Sequence, residues 1–466
     1  MSKFYLFVAP SIGPSSSQAR LKTRLLDKGE HQVWIRSSST RDLEEGDKLL
    51  MVVPKGGDYD AVLPDLQKIV LLDKKGEEML LVTDRVYDKK VPIDKVRAIL
   101  NRPLSDSTTW LTQSEFNAIV REMGGVMLKE NELLNYIKRY IAAKGYYFDD
   151  ETIYNYHICL KTRPFVILAG LSGTGKSKLS QLYAESIGHT VQNKRYLRLA
   201  VRPNWNDDRY LLGYLNSITG EYVTEPAVDF IIKAEEDRDN LYFFCLDEMN
   251  LAHVEYYFSQ FLSALEEDNS ADRWIPLMSE RAQASLSAHT SHRILVPSNL
   301  LFTGTINVDE TTQPLSDKVI DRANTIEFFA VELDKMPERE PLPDPIVVSA
   351  ATWSSYITRE PDTAYRNHII EIGKILNKAD LGLGYRILRD IELYMANSKN
   401  LLQPEVAFDL QVKQRILPRV RGTETIRLVL DELTTFMKRN NLIRSEKRLD
   451  EMKVRLKRDG YTNFWR

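Results

Sequence analysis

Pro164-Phe-Val-Ile-Leu-Ala-Gly170-Leu-Ser-Gly-Thr-Gly-Lys-Ser177-Lys-Leu-Ser-Gln-Leu-Tyr-Ala-Glu185 is the stretch whose reading decides the fold. Its centre is a complete G-x-x-x-x-G-K-[ST] phosphate loop, from Gly170 through Gly173, Thr174, Gly175 and Lys176 to Ser177. The apolar run before it reads as a buried strand, and the pattern from Lys178 to Glu185 reads as a helix. Glycines let the backbone curl until its N–H groups face a phosphate, and the helix N-terminus adds its dipole. In that setting Lys176 reaches the β- and γ-phosphates and Ser177 holds Mg2+. A chance glycine-rich turn would need neither the full spacing nor both flanks. The expectation is therefore a nucleoside triphosphate site.

Two further strands extend it. Leu241-Tyr-Phe-Phe-Cys-Leu-Asp247-Glu248 is an apolar strand ending in two carboxylates, expected beside the phosphate-loop strand in the sheet. Asp247 would serve the Mg2+ shell and Glu248 would orient the attacking water, since phosphoryl transfer asks mainly for positioning and charge stabilisation. An ordinary acidic turn is the plain alternative. Asn299-Leu-Leu-Phe-Thr-Gly-Thr-Ile-Asn307 reads as another core strand, putting the Asn307 amide near the γ-phosphate. Ser316-Asp-Lys-Val-Ile-Asp-Arg322 reads as a helix with Arg322 near its end. Arg322 is either a finger on a neighbouring subunit's nucleotide or a solvated helix-end cation favoured by the dipole.

With these motifs in place, the segment from about Asn131 to Gly422 resembles the AAA+ module of the McrB family of restriction NTPases. The likeness is carried by Val201-Arg-Pro-Asn-Trp-Asn-Asp207, Leu211-Leu-Gly-Tyr-Leu-Asn216, Leu246-Asp-Glu-Met-Asn-Leu-Ala252, Val254-Glu-Tyr-Tyr257 and Asn307-Val-Asp-Glu-Thr-Thr312. It implies an α/β P-loop core with a helical lid, a hexameric ring, Mg2+-dependent GTP hydrolysis, and a separate McrC-like nuclease acting on DNA with modified bases. It also implies a second nucleotide sensor at Arg386, in Leu383-Gly-Tyr-Arg386, and a lid helix over Asp409–Pro418. Where the family text reads Asn-x-x-Asp-Arg-Ser, this chain has Asn307-Val-Asp309-Glu310-Thr311-Thr312. The Asn and an acidic residue, Asp309, survive, but the Arg is a Thr. GTP leads by resemblance, and ATP stays open.

Composition agrees with a large assembly protein. The chain has 466 residues, 43% hydrophobic and 28% charged, with a net charge of −3. That allows two or three domains, and any DNA affinity must come from local patches. No apolar run reaches membrane-spanning length, and the start lacks a secretory leader pattern, so a cytoplasmic location is expected. Cys159 and Cys245, the only cysteines, sit in apolar contexts and read as core residues rather than a disulfide.

Three regions follow from the punctuation. Residues 1–123 carry short apolar runs at Phe4–Ala9, Gln32–Arg36, Lys48–Val53, Lys68–Leu72 and Met79–Thr83, with short helices at Pro92–Leu100 and Ser114–Val120. This reads as a small β-rich barrel. Residues 124–335 form the NTPase core, led by helices over 130–160 and including a hairpin between Arg273–Leu277 and His292–Val296 that either faces a ring pore or is a plain surface hairpin. Residues 336–466 begin with a Pro-rich linker and continue as a helical lid. From Gln411 onward Lys and Arg outnumber Asp and Glu about two to one, so this tail either touches DNA phosphates or an acidic partner surface, or is a solvated face of the lid.

The first region resembles the PUA-like superfamily, including EVE and YTH modules, through Val33-Trp-Ile-Arg-Ser-Ser-Ser39, the Gly46-Asp47 turn and Trp110-Leu-Thr-Gln-Ser-Glu-Phe116. The resemblance implies a pocket for a flipped modified base, with walls from Trp34, Tyr59 and Trp110 and a polar contact from Ser38. Each of these residues alone reads more readily as core. Two other readings of the whole chain stand beside restriction: an ATP-driven remodeller of protein complexes, and a non-hydrolysing switch, against which Asp247-Glu248 speaks.

Overall fold

A computed structural model describes residues 4–8, 32–36, 48–55, 58–62, 68–75, 78–87, 91–102, 108–112, 115, 119, 126–216, 218–219, 221–278, 292–308, 312–329, 333–335, 337, 341–343 and 345–465. Before residue 95, and at 108–109, 126–127 and 333, only the backbone is described. The chain divides into two compact units: Met1–Leu133 with Asp344–Ser355, and Leu134–Pro343 with Tyr356–Arg466.

The first unit is a mixed sheet. Its strands are β1 (Phe4–Val8), β2 (Gln32–Arg36), β3 (Lys48–Lys55), β4 (Asp58–Val62), β5 (Lys68–Lys75), β6 (Glu78–Tyr87), β7 (Val91–Pro92), β8 (Thr108–Leu111) and β9 (Val126–Met127). The five apolar runs marked in the sequence all fall in strands, and helix α1 (Ile93–Leu100) covers the first expected helix, while the second, Ser114–Val120, lies almost wholly outside the described residues. β4, β7, β8 and β9 carry weaker patterns and emerge only with pairing. Among the described residues the path β2-β6-β5-β3-β1-β8 is open, with β4 and β7 branching from β3 and β9 from β6. The described pairings do not by themselves show the expected small barrel. A parallel β1–β3 pair interrupts an otherwise antiparallel order.

The second unit is built on a parallel sheet of five described strands in the order β11-β14-β17-β10-β18. These are β10 (Phe165–Gly170), β11 (Tyr196–Ala200), β14 (Tyr242–Asp247), β17 (Leu300–Asn307) and β18 (Asn324–Phe328). Every residue of β10 is buried, as is every residue of β17 except Asn307. Such unbroken apolar runs are what a parallel sheet covered on both faces requires. Helices α2 (Glu130–Ala143) and α3 (Asp150–Thr162) lead in, and α4 (Lys176–Ser186) follows the phosphate loop. α4 packs over β10, β14 and β17, and α3 packs against β10 and β18. Aromatic rings fill the core: Phe258 stacks on Phe261 at 4.8 Å, and Phe244 meets Phe302 at 5.5 Å.

One expectation is corrected here. The acidic strand β14 does not lie beside β10, because β17 runs between them, pairing Gly170 with Asn307 on one side and Leu246 with Gly304 on the other. All three strands are apolar and alike, and in a parallel sheet neighbours are chosen by how crossovers pack rather than by chain order.

Two short hairpins decorate the sheet. β12 (Tyr214–Asn216) with β13 (Glu221–Val223) has no counterpart in the sequence reading. β15 (Trp274–Pro276) with β16 (Arg293–Leu295) forms where the sequence places a hairpin, and its tip, 279–291, lies outside the described residues. The lid comprises α5 (Arg366–Leu376), α6 (Tyr385–Asn397), α7 (Pro404–Gln411), α8 (Arg427–Arg439) and α9 (Ile443–Asp459). The expected single helix over Asp409–Pro418 is instead the end of α7, a π turn at Val412–Ile416 and a 3-10 turn at Leu417–Arg419, where Pro418 cannot continue an α-helix. Two short final strands, β19 (Gly422–Thr423) and β20 (Tyr461–Thr462), pair with each other. Both cysteines are free and buried. No helix among the described residues is long and apolar enough to cross a membrane.

Candidate active site

The phosphate loop joins β10 to α4. Gly173 and Gly175 have φ of 79° and 91°, a left-handed curl that side chains resist. Gly170 is needed for a different reason: a Cβ there would stand 1.8 Å from the carbonyl oxygen of Phe328 on β18. The Thr174 hydroxyl donates to the Leu171 carbonyl at 2.9 Å, bracing the loop from within. Lys176 is buried, and its ammonium donates to the carbonyls of Gly170 at 3.1 Å and Leu171 at 2.5 Å. A phosphate in the loop would compete for that charge.

Beside the loop, the ends of β14 and β17 share one hydrogen-bond network with the start of α4. The Ser177 hydroxyl donates to Asp247 Oδ1. Thr305 donates to the same oxygen at 2.8 Å and accepts the Glu248 backbone N–H at 2.9 Å. The Asn307 amide donates to Glu248 Oε1 at 3.2 Å. Glu248 itself is left-handed, at φ 53° and ψ 43°, which costs a non-glycine residue and aims its carboxylate off the strand end. Asn250 braces the back, accepting the Asn307 N–H at 3.2 Å and donating to the Asn307 carbonyl at 2.8 Å. Arg198, on β11, lies 4.0 Å from Asp247 Oδ2. Thr305 and Asn250 were missed by sequence reading. The sole signal was their place one strand period, or one short turn, from Asn307 and Glu248.

Hydroxyl and carboxylate oxygens meeting at Ser177 and Asp247 are the hard donor set that suits Mg2+, so these residues fit the ion the motif implies. Asp309 lies outside the described residues.

Arg322 and Arg386 do not join this network. Arg322 sits two residues past the four-residue helix Asp317–Ile320, donating to Glu266 through Nε at 2.8 Å and to the Lys318 carbonyl at 2.7 Å. Arg386, in the first turn of α6, reaches the same Glu266 oxygen at 2.8 Å. Burial works to raise the Glu266 carboxyl, but the Arg322 and Arg386 guanidiniums outweigh it and hold it below the usual carboxylate range. Nothing in the local sequence marked Glu266 as the meeting point.

A cavity of about 520 Å³ opens next to the loop, with Thr174 in its wall. It is lined by Tyr147, Phe148 and Asp149 just before α3, by Glu327 and Phe328 of β18, and by Lys413, Lys447 and Arg448 of the lid. The Phe148 ring lies where a Cβ on Gly175 would touch it at 3.3 Å. Glu327 is held by Lys413 at 2.6 Å and by Arg448. Aromatic faces with flanking charges suit a planar, hydrogen-bonding base.

The basic tail is largely engaged in ion pairs: Arg444 with Glu151, Arg448 with Glu327, Lys453 with Asp431, and Arg458 with Asp459. In the first unit, Trp34 (β2) and Trp110 (β8) stand on strands at opposite ends of the sheet path, and Tyr59 on the β4 branch. Trp110 is 52% exposed, and its carbonyl accepts from Arg102 at 2.6 Å. Ser38 lies outside the described residues.

Comparison with known proteins adds three findings. The family described as Domain of unknown function (DUF8727) matches residues 347–461, the lid region. The type IV methyl-directed restriction enzyme EcoKMcrB subunit of Escherichia coli K12 is 22% identical over 159 residues, 34% of this chain and 33% of that protein. The chain thus spans about a third of the length of that relative. A candidate ATPase from Cytophaga hutchinsonii superposes over 60% of this chain and 79% of its own at 14% identity, with a TM-score of 0.37, too low to carry an argument. The parallel sheet is consistent with a P-loop ATPase core, and the Escherichia coli similarity supports an AAA+ relationship.

Proposed function

We propose that this chain is an Mg2+-dependent nucleoside triphosphatase of AAA+ type, the GTP-hydrolysing motor of a modification-dependent DNA restriction system. The observation that carries the hydrolytic reading is the continuous network Ser177–Asp247–Thr305–Glu248–Asn307 at the mouth of the phosphate loop. Loop amides and Lys176 hold the β- and γ-phosphates. Magnesium, held by Ser177 and Asp247, neutralises phosphate charge when bound. Glu248 and Asn307 orient a water on the γ-phosphorus; its oxygen bonds to phosphorus as the bridging bond to the diphosphate breaks, and Glu248 takes up the proton. The Tyr147–Phe148 side of the cavity takes the base.

Methyl-directed restriction rests on the likeness to the EcoKMcrB subunit. GTP, a McrC-like nuclease partner and a ring of six copies, in which Arg322 leaves Glu266 to act on the neighbouring nucleotide, rest on the resemblance of the sequence motifs to the McrB family. Residues 1–123 would read the modified base, with exposed Trp110 as one stacking surface. ATP-driven remodelling of protein complexes is the competing role.

Phosphate release from GTP and from ATP, with Mg2+, tests the reading. Lys176→Ala should lose nucleotide binding, and Glu248→Gln should keep binding but turn over roughly 100-fold more slowly. A purified chain that hydrolyses neither nucleotide, or a Glu248→Gln variant with full activity, rejects it.

A further inference from the structure

The lid touches the Arg322 segment at an unusual element. Val412–Ile416 is a π turn, a wide and rare turn that recurs at functional sites. Lys413 and Arg415, two residues apart, project from opposite sides of it. Lys413 lines the cavity beside Thr174 and lies 2.6 Å from Glu327. Arg415 points the other way into the core, with its side chain 1% exposed. It donates to the Ala323 carbonyl at 2.6 Å and the Asp321 carbonyl at 3.2 Å, the carbonyls of the two residues on either side of Arg322. Its charge is balanced by equally buried Asp390 of α6, which also accepts from Arg163 at 2.8 Å. One turn along the lid, Arg419 holds the Asp321 carboxylate at 3.0 Å.

We infer that the Val412–Ile416 turn links the nucleotide cavity to Arg322, with Arg415 as the positioning residue that sets the backbone on both sides of it. A buried guanidinium bonded to two fixed carbonyls cannot slide without losing partners it cannot replace. A shift of Lys413, when a base and its phosphates enter the cavity, therefore moves 321–323 rather than being absorbed. The strand β18 closes the loop, since it starts after Ala323 and carries Glu327 at its far end. This inference rests on the nucleotide reading above, and it assigns the state of Arg322 to occupancy of the same chain's cavity.

The test uses the full chain with the nucleotide that it hydrolyses. Hydrogen exchange at the amides of 317–323 is followed with and without a non-hydrolysable analogue, alongside analogue affinity and kcat. In the wild type, saturating analogue should slow exchange there at least fivefold. Arg415→Lys should bind analogue within threefold of wild type, lose that protection and lower kcat at least tenfold, with KM little changed. Lys413→Met, at a partly exposed site where Arg448 still pairs with Glu327, should bind analogue at higher concentration and, once saturated, also lose the protection. Wild-type protection in saturated Lys413→Met, or wild-type kcat in a folded Arg415→Lys, overturns the inference. So does complete loss of binding in Lys413→Met, which would make Lys413 a ligand contact instead of a transmitter. Should the wild type itself neither bind nor hydrolyse nucleotide, the proposed function fails first, and the two failures are distinct.

Discussion

Thr305→Val is the most searching single change at the site. Thr305 is buried and holds both catalytic carboxylate residues: its hydroxyl donates to Asp247 Oδ1 at 2.8 Å and accepts the Glu248 N–H at 2.9 Å. Valine keeps the shape and the β-branch that a strand favours, so the core around β17 should survive. Two polar interactions vanish. The hydrogen bond to a charged carboxylate is worth about 1.5–3 kcal/mol, and leaving the Glu248 N–H without an acceptor costs about 1–3 kcal/mol. Part of that total falls on stability, roughly 1–2 kcal/mol. The rest appears as a mispositioned Glu248, whose left-handed backbone at φ 53° depends on that N–H being anchored. With tenfold in rate for each ~1.4 kcal/mol, kcat should drop about 10- to 100-fold. Lys176 and the loop amides are untouched, so nucleotide affinity should change less than about threefold, on the order of 0.6 kcal/mol. Phosphate release, a nucleotide titration and a thermal melt on one preparation separate the three effects. Thr305→Ser, which restores the hydroxyl, should recover most of the rate. A Thr305→Val protein that turns over within twofold of wild type would refute the claim that this hydroxyl sets the water-orienting group.

Other expectations follow from the same geometry. Gly170→Ala drives a Cβ to 1.8 Å from the Phe328 carbonyl and should cost about 3 kcal/mol or fail to fold, whereas Gly373→Ala meets only Leu383 at 3.8 Å inside α5 and should raise stability by about 0.5–1 kcal/mol in a denaturant melt. Glu266 ionises below its ordinary value of 4.5, so its contribution is complete above that value and is lost as pH falls through the depressed one. Wild type should therefore lose more stability than Glu266→Gln between about pH 6 and about pH 3; equal losses would remove Glu266 as the anchor of Arg322 and Arg386. In duplex titrations that vary one methylated or hydroxymethylated base, Trp110→Ala should weaken binding of the preferred duplex roughly 5- to 100-fold, as loss of one stacking partner does, and equal affinity for all duplexes would make residues 1–123 a plain docking module.

The sequence by itself determined the elements whose chemistry is local. The phosphate loop needs its glycines, its lysine and its flanking strand and helix within one continuous stretch, and all are legible there. So are the carboxylate-ended strand, the Asn-ended strand and most strands of the first unit, because period and turn residues are properties of neighbours in the chain. The tertiary structure decided what meets what. It put β17 between β10 and β14, brought Thr305 to Asp247 and Glu248 across 58 and 57 residues, and set Arg415 on the carbonyls around Arg322 from 92 and 94 residues away. It also drew Arg322 and Arg386 to one carboxylate, Glu266, that no motif marks. The physical reason is the same in each case. A buried polar group must find a partner, but which distant group supplies it depends on strand order and crossover packing, which similar apolar runs leave undetermined until the whole core closes.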